Sequence, residues 1–413
     1  MIANLSPAPL FGTVQAPPSK SCAQRALLAA FLSGEKTSLG ALGDSADIRA
    51  MKNALMSLGA EITMENGGWT VQRKQELSCG VTLNCGESAT ALRFLLPVVC
   101  ALGVKAEFTG EESLLRRPVS ALKEVLSLHG VCFNGNAVSG KLSSGVYRIR
   151  ADISSQYLSG LLFALPLLSG DSEIIFEGKA VSKHYLALTE QTLENFGVRV
   201  ERKNAGYRVF GGQRYRLLKD WTIEGDYSSA AFFLAAGGIG GEVTVGNLPK
   251  DSLQGDRKIL SLLKEFGAEV MVNRDAVTVK KGALKGICID CEDIPDLVPI
   301  LSVLAAFAHG TTRLTGVERL KIKESDRIVG IEKMLQTAGI KVLYQDGVLI
   351  VQGGAPRGGT FSTNDHRIAM AAAVLACCAC GNSQIQGAES VEKSYPSFWE
   401  DFKKVKGAVH VGI

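Results

Sequence analysis

Histidine is scarce in this chain, five in 413 residues, and none falls in an HxxxH or HExxH spacing, so a helix-borne zinc site is not expected. Long hydrophobic runs are missing too. The longest, Leu297 to Ala308 and Ile368 to Cys380, fall well short of the roughly 20 residues a membrane-spanning helix needs. Met1-Ile2-Ala3-Asn4 lacks the basic start and apolar core of a signal peptide. The expectation is a cytoplasmic protein without a membrane partner, whose ten cysteines are reduced thiols. Cys288-Ile289-Asp290-Cys291 has CxxC spacing but stands in a strand-like run without a second pair, and Cys377-Cys378-Ala379-Cys380 belongs to an apolar helix. No metal and no organic cofactor are expected. Net charge is also small, 45 Lys and Arg against 41 Asp and Glu, and the bases form no stripe interleaved with aromatics. Nucleic acid is therefore an unsuitable partner. What remains is a globular composition, 46% hydrophobic and 21% charged, in a chain long enough for two domains.

The chain is rich in repetition. Six polar phrases lead into helix-like apolar stretches about 70 residues apart: Ser19-Lys20-Ser21, Gly86-Glu87-Ser88, Ser154-Ser155-Gln156, Asp226-Tyr227-Ser228-Ser229, Pro295-Asp296 and Asn364-Asp365-His366-Arg367. The stretches close near Gly34, Gly103, Gly170, Gly238, Gly310 and Gly381. Ser, Asp and Asn favour N-caps, and glycine favours the position after a helix. Helices apolar on nearly every side are buried, and their free N–H groups suit an anion. A second series runs out of phase, at Gly59, Gly130, Gly197, Gly267, Gly339 and Gly407. Several of these glycines close amphipathic segments, such as Ile48, Met51, Leu55 and Leu58, or Ile259, Leu260, Leu263 and Phe266. Alternating strand-like runs follow, Ala60 to Met64 and Ala268 to Val272 among them. Each repeat thus predicts one buried helix, one half-exposed helix and short strands. Six repeats divide as three plus three, with a boundary near Asp226 and a strand-like lead-in, Phe11 to Gln15, open to either half.

Single motifs are ambiguous. Lys20, Ser21 and Arg25 at a helix start, or Lys323-Glu324-Ser325-Asp326-Arg327 before another, also fit capped helices with local ion pairs. Arg367, beside His366 at the head of an almost wholly apolar helix, calls for an acidic or phosphate partner. Taken together and in order, these phrases resemble the 5-enolpyruvylshikimate-3-phosphate synthase (3-phosphoshikimate 1-carboxyvinyltransferase) family over essentially the full chain. The likeness also rests on Leu114-Leu115-Arg116-Arg117-Pro118, Ser182-Lys183-His184-Tyr185, Ile294-Pro295-Asp296 and Lys393-Ser394-Tyr395-Pro396.

The resemblance implies an α/β fold of two similar domains, each three βαβαββ units around buried parallel helices (an inverse α/β barrel), with an inter-domain cleft. One domain would be 17–224, mainly on the shikimate 3-phosphate side. The other would be 1–16 with 225–413, carrying phosphoenolpyruvate and the catalytic carboxylates. The implied partners are these two small molecules, and the expected state is a monomer. Asp296 is implied as the base at the 5-hydroxyl and Glu324 as the acid at C3, with Lys20 sharing the proton work and His366 assisting. Shikimate 3-phosphate would meet Lys20, Ser21, Arg25, Ser154, Ser155, Gln156, Ser182, Tyr185, Asp296 and Lys323. Phosphoenolpyruvate would meet Lys20, Ala89, Arg117, Gln156, Arg327, Arg367 and Lys393.

Two departures stand out. The family usually has glycine four residues before the arginine of its phosphoenolpyruvate loop; here Ala89 precedes Arg93, which implies tolerance of the bulkier inhibitor glyphosate. His184 stands where some relatives have proline. Two rivals share parts of the pattern. UDP-N-acetylglucosamine enolpyruvyl transferase resembles Lys-Asn where this chain has Lys20-Ser21. A DNA sliding clamp also repeats six α/β units, but needs bases along its helices rather than at one end.

Overall fold

The computed structural model describes residues 1–65, 68–74, 76–178 and 181–412. The chain forms two compact units, Pro18–Ile223 and Met1–Pro17 with Glu224–Ile413. Among the described residues each unit carries three repeats, and each repeat has its own small sheet.

The second repeat shows the pattern. Strand Val81–Asn84 leads into the buried helix Ala89–Leu102, which returns to a parallel strand, Ala106–Thr109. The half-exposed helix Ser120–Ser127 follows, then the antiparallel pair Val131–Asn134 and Ala137–Gly140. The strand order places the last strand inside the sheet, next to Ala106–Thr109. The third and fifth repeats follow the same βαβαββ order.

The other repeats borrow strands from distant sequence. The lead-in Phe11–Gln15 pairs in parallel with Glu242–Gly246 and so starts the fourth repeat. Ile2–Leu5 lies between Ser383–Gln386 and Val409–Gly412 and completes the sixth. In the first repeat, Trp221 makes a parallel bridge to Leu39, where the first strand of the other repeats would stand.

The buried helices are Lys20–Ser33, Ala89–Leu102, Ser155–Ala164, Tyr227–Gly240, Val298–Phe307 and His366–Cys378. Alanine and leucine dominate them, strong helix formers without polar atoms to satisfy. In the unit of Glu224–Ile413 the three pack on one another; in Pro18–Ile223 the second and third pack closely while the first leans on Ala46–Ser57 and Lys183–Asn195, and all three lie in the core. Half-exposed helices run over Ala46–Ser57, Ser120–Ser127, Lys183–Asn195, Ile259–Phe266, Arg327–Thr337 and Phe398–Lys404.

Helix starts follow the sequence signals closely, with one correction. Ser19, Ser88, Ser154, Asp226 and Asp365 are N-caps whose side chains accept backbone N–H groups. The fifth helix, however, begins at Val298 after Leu297, with no capping side chain. Asp296 is not spent on a cap.

Helix ends follow less well. Gly34 and Gly103 are left-handed caps as expected. The third helix tightens into a 3-10 turn, Leu165–Leu167, at Pro166. The fourth runs through Gly238 to Gly240, and the fifth and sixth stop at Ala308 and Ala379, before their glycines. In the second series, Gly59, Gly130, Gly197, Gly267 and Gly339 have positive φ, but in the sixth repeat Lys406 takes the left-handed position instead of Gly407.

One glycine sets helix spacing. Pro97, inside the second buried helix, cannot donate to the Arg93 carbonyl. Gly160 of the third helix packs against both: a Cβ there would lie 2.4 Å from the Arg93 carbonyl oxygen and 2.9 Å from Pro97.

Candidate active site

In Pro18–Ile223, Lys20, Ser21, Ala89, Ser154, Ser155 and Gln156 stand at the N-terminal ends of the three buried helices, Ser182 and Tyr185 at the head of Lys183–Asn195, and Arg117 just after Glu112–Leu115. Lys20 opens the first, and its Nζ lies 2.8 Å from the Asp47 carboxylate. Asp47 also holds that helix through its carbonyl, which accepts from Gln24 Nε2 at 2.8 Å. The same amide nitrogen donates to the Ser88 hydroxyl at 2.9 Å, joining the first helix to the N-cap of the second.

Arg25 is 2% exposed and braces the first repeat against the third. It donates to Thr189 Oγ1 at 2.9 Å, the Ser21 carbonyl at 2.7 Å and the Tyr185 carbonyl at 3.1 Å. All three acceptors are neutral, and burial lowers its pKa to about 10.

Arg93, one turn after Ala89, belongs to the same cluster, although it was absent from the expected binding set. Its Nη1 donates to Gln156 Oε1 at 2.8 Å and lies 3.4 Å from Ser154 Oγ, while Nη2 donates to the Pro118 carbonyl at 2.8 Å. Gln156 Nε2 in turn donates to Thr90 Oγ1 at 2.8 Å. Arg93 therefore ties the Gln156 helix to the segment carrying Arg117. Ser154 and Ser155 are buried at the head of the third helix. Ser182 is held in the left-handed region, φ 53°, immediately before the helix Lys183–Asn195. A non-glycine residue in that conformation marks a constrained position.

The other unit gathers charge more densely, around Arg327. This residue is 1% exposed and touches three carboxylates: Asp365 through Nε at 2.9 Å, Asp296 through Nη1 at 2.7 Å and Glu324 through Nη2 at 2.8 Å. Burial alone would lower the Arg327 pKa, but Asp365, Glu324 and Asp296 outweigh it and hold the guanidinium above its ordinary range. For Asp365 burial pulls upward, and Arg327 and His366 overcome it, keeping that carboxyl below the usual range. Asp365 also N-caps the sixth buried helix, accepting from the Arg367 amide at 2.9 Å.

Asp296 draws three cations. Besides Arg327, Lys323 Nζ lies 3.6 Å from Oδ1 and Arg367 Nη2 3.3 Å from Oδ2. Burial depresses the Lys323 pKa to about 8 against the opposing pull of Asp296. His366 is buried with Nδ1 3.9 Å from Asp365, and Lys393 is buried at the end of the turn Ala388–Lys393. Sequence reasoning passed over Asp256 as it did Asp47. It is buried beside Ser228, and burial followed by the Asp296 charge pushes it up to about 7.

One unit thus joins Gln156 to Arg93 and Arg25 to the Tyr185 carbonyl, and the other gathers Asp296, Lys323, Glu324, Arg327, Asp365 and Arg367. Such a donor set can hold multiply charged anions and move protons beside them. The buried helices are covered along their length and charged only at their entries, unlike helices that line a DNA channel.

The fold is that of the enolpyruvyl transferases. The chain is similar to NikO, an enolpyruvyl transferase of Streptomyces tendae, with a TM-score of 0.78 at 17% identity, covering 99% of this chain and 98% of that one. The family is narrower than the fold. Residues 5–402 match the family model of EPSP synthase (3-phosphoshikimate 1-carboxyvinyltransferase). A 3-phosphoshikimate 1-carboxyvinyltransferase of Clostridium kluyveri is 40% identical over 98% of this chain and 97% of its own. An EPSP synthase structure from Acinetobacter baumannii matches all of both chains with a TM-score of 0.84 at 25% identity. The chain belongs to the EPSP synthase family and is a transferase. Among the described residues no helix is long and apolar enough to cross a membrane.

Proposed function

We propose that this enzyme transfers the enolpyruvyl group of phosphoenolpyruvate to the 5-hydroxyl of shikimate 3-phosphate and releases phosphate, in the shikimate pathway to chorismate. The single observation that carries the reading is Arg327 on Asp296, Glu324 and Asp365 at once, in a chain of this family. A proton has to reach C3 of the enol ether before C2 becomes electrophilic, and the 5-hydroxyl has to lose one as it attacks. An acid and a base beside one anion-binding arginine suit that pair of transfers.

Glu324 delivers the proton to C3 and Asp296 accepts the hydroxyl proton. The tetrahedral adduct then returns a C3 proton as the C–O bond to phosphate breaks. Arg327, Arg367, Lys393, Arg117 and Lys20 hold the carboxylate and phosphate of phosphoenolpyruvate, with Gln156 beside them and His366 assisting. An arriving anion competes with the three carboxylates for Arg327. Losing part of their cation raises the carboxylates' proton affinity, which favours proton uptake by Glu324 and Asp296.

Pro18–Ile223 serves mainly shikimate 3-phosphate. Ser154, Ser155 and Ser182 take its phosphate, and Ser21, Arg25, Tyr185, Lys20 and Lys323 its hydroxyls and carboxylate. The brace made by Arg25 limits its share to the donors left over. The enzyme acts as a cytoplasmic monomer and requires no metal or organic cofactor. Phosphate release with each substrate omitted in turn tests the reaction: release requiring both, with the enolpyruvyl product, supports it, and no product under conditions where a known synthase works overturns it.

Ala89 narrows the phosphoenolpyruvate pocket by one methyl and lowers sensitivity to glyphosate. The variant Ala89→Gly is then more sensitive than the parent. Equal inhibition curves would remove the methyl from the account.

A further inference from the structure

Arg25, Ser159 and Thr189 meet at one point inside Pro18–Ile223. They are 2%, 0% and 0% exposed, and they come from three helices, Lys20–Ser33, Ser155–Ala164 and Lys183–Asn195. Arg25 Nε donates to Thr189 Oγ1 at 2.9 Å, and Ser159 Oγ lies 2.8 Å from the same oxygen. Thr189 in turn donates to the Tyr185 carbonyl at 3.0 Å. A hydroxyl has one proton and two lone pairs. The proton goes to Tyr185, and one lone pair takes Arg25, which can only donate. Ser159 is therefore the second donor to Thr189, and the threonine hydroxyl is fully used.

The same spacing places this node on all three helices. Ser21 stands four residues before Arg25, Ser155 four before Ser159, and Tyr185 four before Thr189. Residues so spaced share a helix face, about one turn apart. The node thus lies one turn behind three of the residues read as shikimate 3-phosphate ligands. It also directs the fourth. A guanidinium carries five N–H donors, and Arg25 spends them on Thr189, the Ser21 carbonyl and the Tyr185 carbonyl until one is left on each terminal nitrogen. Its Cζ lies 5.0 Å from the centre of the Phe94 ring and 5.9 Å from that of Tyr185, so aromatic faces rather than acids pack on it.

We propose that Thr189, clamped by Ser159, is a positioning residue for shikimate 3-phosphate. It fixes the Arg25 guanidinium so that the two unspent donors meet the substrate, and it locks the helix entries carrying Ser155 and Tyr185 at the matching distance. The proposal rests on the reading of Ser21, Arg25, Ser155 and Tyr185 as ligands of that substrate. Without the threonine oxygen, the buried Nε–H turns to another acceptor and takes the terminal donors with it. No acid belongs to the node, so its effect falls on binding of this one substrate and not on proton transfer.

The test is steady-state turnover of Thr189→Val, Thr189→Ser and Ser159→Ala, with calorimetric titration of shikimate 3-phosphate into each. In Thr189→Val, KM and the dissociation constant for shikimate 3-phosphate rise by about fivefold to twentyfold, while kcat and KM for phosphoenolpyruvate move by less than about threefold. Thr189→Ser, which keeps the oxygen, restores the parent values. Ser159→Ala, which removes only the clamp, gives a rise of about twofold to fourfold and serves if the valine variant does not fold. A fall in kcat with both KM values unchanged, the mark of a partly unfolded population, overturns the proposal, as does an equal rise in both KM values. Calorimetry separates this from a failure of the functional reading. A parent that binds shikimate 3-phosphate but forms no product, with weaker binding in Thr189→Val, still supports the role of Thr189; equal binding overturns it, and a parent that does not bind this substrate overturns both.

Discussion

Arg25 and Arg327 are both buried, one in each unit, and they are held in opposite ways. Arg25 donates to a hydroxyl and two carbonyls, and burial weakens its hold on its proton. Arg327 meets three carboxylates, and its hold is strengthened. The scaffold around them is the same repeated unit, so the difference lies in the side chains at the helix entries. Neutral acceptors make a brace that positions helices and leaves charge for a bound anion. A cation shared among acids makes an arrangement that an anion can disturb, and disturbance changes proton affinity. The proposed function uses the first arrangement for holding and the second for proton transfer.

The largest expected effect comes from removing the two arginines in parallel. Arg327→Met leaves the buried Asp365 without its guanidinium and takes one cation from the partly buried Asp296 and Glu324; it costs about 3–5 kcal/mol of stability, with activity lost. Arg25→Met removes a desolvated charge along with its hydrogen bonds and costs about 1–2 kcal/mol. Chemical denaturation of both variants reads the difference, and equal losses would erase the contrast.

Next in size is Glu324→Gln, which keeps the shape and one acceptor for Arg327. Its kcat falls by about a hundredfold to ten-thousandfold, while its melting temperature stays close to that of the parent. In the other unit, Gly160→Ala forces the second and third buried helices apart at the Arg93 carbonyl. It lowers stability by about 1–3 kcal/mol, read by denaturant titration.

A smaller effect sharpens the electrostatic side. Lys323, depressed to about 8 by burial, is charged below that pH and neutral above it. Its attraction for an anionic substrate is therefore present at low pH and fades as pH rises. KM for shikimate 3-phosphate rises by about tenfold from pH 7 to pH 9 in the parent. In Lys323→Arg, whose guanidinium stays charged, the rise is absent; parallel profiles would contradict it.

Much of the scaffold is legible in sequence because its signals are local. Caps at Ser19, Ser88, Ser154, Asp226 and Asp365 announce helix starts within a few residues. The ends are less local. Burial carries the fourth helix through Gly237 and Gly238 despite glycine's poor propensity, and Pro166 turns the third before its glycine. Pairings across the chain, the strand Ile2–Leu5 in the sixth repeat and the bridge of Trp221 to Leu39, leave no local mark because their partners lie far away in sequence. Within the site, phrases such as Lys323 to Arg327 expose themselves by density of charge. Asp47, near the start of the helix Ala46–Ser57, and Asp256, in the turn Gly255–Lys258, carry no local mark of function, and only Lys20 in the first case and the Ser228 hydroxyl in the second show how they are held.

The division between holding and proton transfer is tested most directly by Asp296→Asn, measured for both turnover and calorimetric affinity for shikimate 3-phosphate. The account predicts kcat lower by about a hundredfold or more, with the dissociation constant changed by less than about tenfold, one hydrogen bond's worth. A variant that turns over normally, or one that loses binding as fully as turnover, would contradict it.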